Sequence, residues 1–330
     1  MNYLITGCFG FIGFNFVKQL LNENKDVYVY GVDSLQNKCS VKNEQISKTF
    51  DNFEFFNLDI NKINDLEIQD IDCLINFAAE SHVDNSIYNP ELFIDSNVRG
   101  VSKLLKFGMQ NKIKNFLHVS TDEVYGSIDK GYFDENSIFN PSSPYSASKA
   151  SAELLINSYQ KTYGYVVTIV RPANNYGIYQ QPEKLIPFSI AKLEAGENLE
   201  IYGDGKNIRH WLSVDDTNKA ILSILANGEK GEVYNIGSEF YLSNIELSKK
   251  LINIFNLKED RISFVEDRPG HDFRYAANID KLKNIGWRPD AIFDNELEKT
   301  VEWYLNNKQW WVDQYKNIMA NKRDKRLGLV

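Results

Sequence analysis

Two acidic side chains stand side by side at Asp122 and Glu123, inside the run "HVSTDEVYG". Adjacent carboxylates repel. Repulsion raises one pKa and lets such a pair supply a proton acceptor and a proton donor at one pH. A second reading of the same residues is structural. Ser120 followed three positions later by Glu123 fits a helix capping box, in which each side chain satisfies a backbone N–H and does no chemistry.

Downstream, "PYSASKA" carries Tyr145 and Lys149 four apart, a spacing that puts both on one helix face. A phenol with a free pKa of ~10 is a poor base at neutral pH, but a neighbouring ammonium and a nicotinamide cation would favour its phenolate. Tyr145 could then accept a proton from an alcohol, provided an oxidant stands beside it. Upstream, the first apolar run leads into "GCFGFIG", with glycines at 7, 10 and 13. Glycine permits the tight turn and close backbone approach that a pyrophosphate needs at a helix N-terminus. The spacing misses the standard Gly-x-Gly-x-x-Gly by one position. Asp33, at the end of the second apolar run, is placed to accept from an adenosine ribose and would repel a 2′-phosphate, which favours NAD over NADP. Asp59 after the third run is a further candidate, with a turn role as its alternative.

The elements that must position these residues are legible as a pattern. "NYLITG", "VYVYGVD", "FEFFNLD", "CLINFAA", "NFLHVST" and "VVTIVRP" are short and rich in β-branched or aromatic residues, without strict alternation. Such runs suit strands buried on both faces, hence a parallel sheet. Between them "NFVKQLLN" and "VRGVSKLLKFGMQN" repeat apolar residues at three and four. The expected fold is α/β, a doubly wound parallel sheet with helices on both faces and ligands at the carboxyl ends of its strands. Residues 1–175 are expected to form the dinucleotide-binding domain. Residues 176–330, loop-rich with helical patterns around 243–255 and 294–315, are expected to form a smaller mixed lobe, some of whose strands and helices return to the first domain. In a regular strand Asp122 and Glu123 would face opposite sides, so joint action requires the backbone to turn at residue 120 or 121.

The 330 residues carry a net charge of −8, and their only basic cluster is the tail "NKRDKR" at 321–326, read as a solvated terminus, which argues against nucleic acid as a partner. Cys8, Cys39 and Cys73 show no metal-ligand spacing and suit reduced thiols. No metal site is expected. The chain opens "MNYLITG" without a basic leader, and no apolar run approaches a membrane span, so a soluble cytoplasmic protein is expected.

Taken together, "GCFGFIG", "YSASK" and the intervening strand ending in Ser120 and Thr121 resemble the extended short-chain dehydrogenase/reductase family over nearly the whole chain. "STDEVYG", "AAESHVDNSI", "RPANNYG", "PEKLIP" and "DRPGHDFRY" are similar to its nucleotide-sugar 4,6-dehydratases, with dTDP-glucose as the implied substrate. The resemblance implies NAD as cofactor, contacted by Gly7, Gly10, Phe11, Ile12, Gly13, Asp33, Ser34, Asp59, Ile60, Ala78, Ala79, Ser96, Tyr145, Lys149 and Asn175. It implies catalysis by Thr121, Asp122, Glu123, Tyr145 and Lys149. Tyr145 takes the C4 hydroxyl proton, Thr121 holds the C4 oxygen, Glu123 removes the C5 proton and Asp122 protonates the departing C6 oxygen. Ser81, Thr121, Asn174, Lys184, Leu185, Tyr202, Arg209, Asn244, Arg268 and His271 are implied around the nucleotide sugar, with Arg209 and Arg268 in loops facing its diphosphate. A homodimer paired through helices is implied as well.

Two segments depart from the usual pattern. Arg209-His210-Trp211 stands where Arg-Asp-Trp is common, and "GSEFYLSNIEL" also strays, so UDP-glucose stays open as the substrate. His82, His118, Trp303, Trp310 and Trp311 are read as structural. An NAD-dependent 4-epimerase would use Tyr145 but leave Asp122 and Glu123 without a task, and a non-catalytic NAD-binding regulator would need none of the set.

Overall fold

Apolar runs without alternation become strands with both faces covered. The computed structural model describes residues 1–326, with side chains to Ala320, so the side chains of the basic cluster at 321–326 lie outside the described ones. The strands are β1 (Asn2–Thr6), β2 (Tyr28–Asp33), β3 (Phe53–Asn57), β4 (Cys73–Asn76), β5 (Asn115–Val119), β6 (Thr168–Pro172), β7 (Asn174–Tyr176), β8 (Leu199–Tyr202), β9 (Ile208–Ser213), β10 (Val233–Ile236), β11 (Tyr241–Ser243) and β12 (Ile262–Val265). Seven of them form one sheet in the order β10-β6-β5-β4-β1-β2-β3, with every pairing parallel. All four residues of β4 are buried, whereas the edge strand β3 is only half covered.

Successive residues feed opposite layers. Ile5, Val29, Ile75 and Leu117 face the helix Phe11–Glu23, which contributes Phe14, Phe16 and Leu20. Leu4, Val32, Leu74 and Phe116 face Leu104 and Leu105 of Gly100–Gln110 and Ile156 of Pro144–Tyr163. Each such fully buried Phe or Leu contributes about 1.5–3 kcal/mol of transfer free energy. The chain runs outward through β2 and β3 and then returns to lay β4 beside β1. That reversal makes a topological switch point, where open α/β sheets bind ligands.

β10, from the second half of the chain, pairs with β6 and completes the sheet, Val233 opposite Ile169 and Ile236 opposite Pro172. The remaining strands form two small sheets, β11-β9-β7 and β12-β8. The pattern around 243–255 is the helix Asn244–Ile254, with a capping box made by Ser243 and Glu246. The pattern at 294–315 is two helices, Phe293–Asn306 and Lys308–Arg326, broken at Asn307. Trp303 and Trp310 then close on Tyr179 at 4.7 and 5.6 Å between ring centroids, and the Trp310 indole donates to Asn43 at 2.8 Å. Among the described residues no helix is long and apolar enough to cross a membrane.

Candidate active site

The carboxyl ends of β1, β2, β4 and β5 open into one cleft of about 400 Å³. Gly7 follows β1 at φ +69°, and a Cβ there would stand 2.5 Å from the Ala78 amide nitrogen. A Cβ at Gly13 would collide with the Gly7 carbonyl. Gly10 caps the helix Phe11–Glu23 with no side chain to occupy the first-turn N–H groups. A narrow backbone cradle at an uncovered helix N-terminus fits the pyrophosphate of a dinucleotide. Asp33 accepts from the Phe9 and Leu35 amides at 3.0 and 2.9 Å, which fixes its carboxylate at the cleft wall. Burial raises its pKa, and those backbone donors oppose the rise. Asp59 accepts from the Asn61 amide at 2.8 Å and so also makes the turn that its alternative reading foresaw. Ser34, Ile60, Ala78, Ala79, Ser96 and Asn175 line the same cleft.

β5 ends at Val119, and a single 3-10 turn, Asp122–Tyr125, follows. The backbone therefore turns where joint action of Asp122 and Glu123 required. The cap of that turn is Thr121, whose hydroxyl accepts from the Glu123 amide at 3.2 Å. The Ser120–Glu123 capping box does not form, because the Ser120 hydroxyl points the other way and donates to Glu153 at 2.5 Å. Asp122 is 3% exposed and its Oδ2 has no protein partner. Burial, then the charge of Glu123, pushes the Asp122 pKa well above the carboxylate range. Burial also raises that of Glu123, but Arg209, Arg268 and Lys184 all oppose the rise. The two carboxyls therefore differ in electrostatic setting: both are raised by burial, Asp122 further by the charge of its neighbour, whereas three cations oppose the rise at Glu123.

Tyr145 and Lys149 occupy the first turns of Pro144–Tyr163, and both are buried. Burial and the charge of Glu123 push the Tyr145 pKa up, while a hydrogen bond with Thr121 opposes them. Burial draws that of Lys149 down to about 8, with Glu153 acting against it. Lys149 Nζ donates to the Val119 carbonyl at 2.7 Å. Desolvation therefore dominates at Tyr145 in the protein by itself. His118 pairs with Asn76 at 2.9 Å inside the sheet and is held neutral by burial and by Lys149.

Of the residues implied for the nucleotide sugar, Ser81, Asn174 and Lys184 line the cleft together with Thr121, and Lys184 donates to the Ser81 carbonyl at 2.6 Å. Leu185, Tyr202, Arg209, Asn244, Arg268 and His271 stand outside it. Arg209 is not in a loop but on β9, a strand buried at every residue after Ile208. Its guanidinium donates to the carbonyls of Ile208 and Asp272 at 2.9 and 3.0 Å and lies over the Tyr275 ring. Arg268 is in a loop and donates to Asp84 at 2.8 Å, and its buried Nε is unpartnered. Asp84 also accepts from the Tyr202 hydroxyl at 3.2 Å. Burial would raise the Asp84 pKa, but Arg268 and Tyr202 bring it below the usual range. His271 pairs with Asp267 at 2.6 Å and meets Tyr202 edge to face. Asn244 begins its helix with Oδ1 buried and unpartnered.

Asp84, Glu80, Glu153 and Arg171 are site residues that motif spacing did not single out. Glu153 carried a signal, since it repeats the four-residue step from Tyr145 to Lys149. Glu80 and Asp84 lay inside "AAESHVDNSI" and Arg171 inside "RPANNYG", motifs that carried the resemblance without giving these residues a role.

The fold and cleft define a dinucleotide-binding protein of the short-chain dehydrogenase/reductase type. A family model described as GDP-mannose 4,6 dehydratase matches residues 4–300, and the chain belongs to that family. The low-salt glycan biosynthesis protein Agl12 of Haloferax volcanii is 45% identical over 310 residues, 93% of this chain and 99% of the relative. A dTDP-glucose 4,6-dehydratase of Streptomyces niveus is 39% identical, covering 94% and 95%. Among solved structures, the dTDP-glucose 4,6-dehydratase DesIV of Streptomyces venezuelae with NAD bound superposes with a TM-score of 0.91 at 40% identity, covering 94% of this chain and 99% of that one.

Proposed function

We propose that this chain is a nucleotide-sugar 4,6-dehydratase that uses NAD to convert dTDP-glucose to dTDP-4-keto-6-deoxyglucose and water. The observation that carries this reading is the pair of unequal carboxyls, Asp122 and Glu123, turned into the cleft that Tyr145 and Lys149 also line. Similarity to dTDP-glucose 4,6-dehydratases at about two-fifths identity over nearly full length supports it.

NAD, which the glycine cradle and Asp33 would hold, would supply the oxidant for C4 by accepting its hydride and the reductant for C6 by giving that hydride back. Tyr145 takes the proton of the C4 hydroxyl, and Thr121 holds the C4 oxygen. The ketone acidifies C5–H, which Glu123 removes while Asp122, kept protonated, gives its proton to the departing C6 oxygen. Arg268 and Lys184 are placed beside Glu123 and would receive the diphosphate. Tyr202, Asn244 and His271 would surround the nucleotide. We further propose that residues 1–175 serve the cofactor and residues 176–330 the nucleotide, and that the protein works as a cytoplasmic homodimer joined through helices of the nucleotide lobe.

Incubation with dTDP-glucose tests the reading by product mass. A 4-keto product lighter by one water supports it. An isomer of unchanged mass would point to a 4-epimerase. UDP-, CDP- and GDP-glucose run in parallel decide the base.

A further inference from the structure

One helix grips three consecutive residues at the end of β5. Along Pro144–Tyr163, Tyr145, Lys149 and Glu153 fall four residues apart and share one face. Tyr145 hydrogen-bonds with Thr121, Lys149 donates to the Val119 carbonyl at 2.7 Å, and the Ser120 hydroxyl donates to Glu153 Oε1 at 2.5 Å. Residues 119 to 121, leading from β5 into the turn, are therefore tied to successive turns of a single rigid rod.

Glu153 is the innermost tie and is wholly buried. Arg171 of β6 clamps it, Nε reaching Oε1 and Oε2 at 3.0 and 3.1 Å and Nη2 reaching Oε2 at 2.6 Å. The other end of the guanidinium donates to the Tyr125 hydroxyl at 2.5 Å, and Tyr125 donates onward to Asn235 of β10 at 2.7 Å. Both ends of the segment that bears Asp122 and Glu123, at Ser120 and at Tyr125, are thus fastened to one ion pair. Such a buried ion pair is weak grounds for stability, since desolvating both partners offsets most of their attraction. Its placement suggests a different use.

We propose that Glu153 is a positioning residue: through Ser120 it holds the turn bearing Asp122 and Glu123 in register with Tyr145 and Lys149. This rests on the dehydratase reading. Oxidation needs Tyr145, and elimination needs the turn. The tie matters because one sugar must meet both without leaving, and a misplacement near 1 Å costs about a hundredfold in rate. Glu153 also supplies the negative charge facing Lys149 from its own helix. His118, held neutral, faces Lys149 from β5, Asp122, Glu123 and Tyr145 lie along the same cleft wall, and Arg171 faces Glu153 from β6.

The test compares holoenzyme variants Ser120→Ala, Ser120→Thr and Glu153→Gln in single turnovers with dTDP-glucose, following NADH absorbance and product mass. Ser120→Ala should leave oxidation close to wild type and slow elimination by about tenfold or more, so that NADH accumulates. Ser120→Thr, which keeps the hydroxyl, should restore the balance. Glu153→Gln should move the alkaline limb of the rate profile to lower pH, because Lys149 loses its nearest anion. If that variant does not fold, the two Ser120 variants decide. Equal slowing of oxidation and elimination, or an unmoved partition in Ser120→Ala, overturns the proposal. Amide hydrogen exchange over residues 120–125 is read alongside: faster exchange in Ser120→Ala is expected, and unchanged exchange also overturns it. Absence of water loss in the wild type would defeat the dehydratase reading instead, and the exchange result would still judge the tie.

Discussion

Lys149 Nζ lies 2.7 Å from the carbonyl oxygen of Val119, so the cation one turn beyond Tyr145 is pinned to the strand that leads into the acid pair. Burial leaves it with a pKa of about 8, against an ordinary value of 10.5. Its charge is therefore lost as pH rises through about 8 in the free protein. kcat/KM should fall on the alkaline side there, well below where an ordinary lysine titrates. Stability responds with the opposite sign. Between about 8 and the unfolded value the unfolded chain binds a proton that the native one lacks, so this group makes stability rise with pH. A pH profile beside thermal melts at the same pH values checks both directions.

Glu123→Gln and Tyr145→Phe should fail at different steps. Losing the base at C5 should slow dehydration by about 10²- to 10⁴-fold while C4 oxidation still appears as NADH absorbance. Losing the phenol should remove that absorbance too, with NAD still bound. Asp122→Asn should resemble Glu123→Gln, since the acid serves the same elimination. Loss of the absorbance signal in Glu123→Gln would contradict the separate roles.

Gly13→Ala places a methyl group against the Gly7 carbonyl in a turn with no slack. NAD affinity should drop by at least about tenfold, because a displacement of the cradle loses the backbone contacts a pyrophosphate needs. Titration calorimetry with NAD measures it, and a circular dichroism spectrum like that of the wild type keeps the result specific to the cradle.

Asp84 holds Arg268 and Tyr202 at once. Asp84→Asn removes the charge that fixes Arg268 and should raise KM for the nucleotide sugar severalfold, leaving kcat near that of the wild type. Steady-state kinetics separate the two. A change in kcat with constant KM would place Asp84 in the chemistry instead.

Local chemistry made the sheet and the glycine turn legible, because both are written in consecutive residues: β-branched runs for strands buried on two faces, glycines where a Cβ would collide. The turn after Val119 was deducible too, from the alternation that a strand imposes on Asp122 and Glu123. Other features depended on distant partners. Ser120 could satisfy either Glu123, three residues on, or Glu153, thirty-three residues on, and only the packing of Pro144–Tyr163 against β5 selects the second. Arg209 lay in a run whose turn residues suggested a loop, and its strand exists because β7 and β11 flank it. The break at Asn307 likewise depends on Trp303 and Trp310 meeting Tyr179, which no helical period encodes.

β10 supplies the outer strand beside β6, and Asn235 within it receives the Tyr125 hydroxyl. During synthesis the chain up to Pro172 can lay down six strands of the sheet, yet β6 waits without its outer neighbour until residue 236 has emerged. At roughly 5–20 residues per second, that interval of some sixty residues lasts several seconds or more. For that time the nascent chain presents an unpaired parallel edge, with the tyrosine beneath the acid pair still lacking its acceptor.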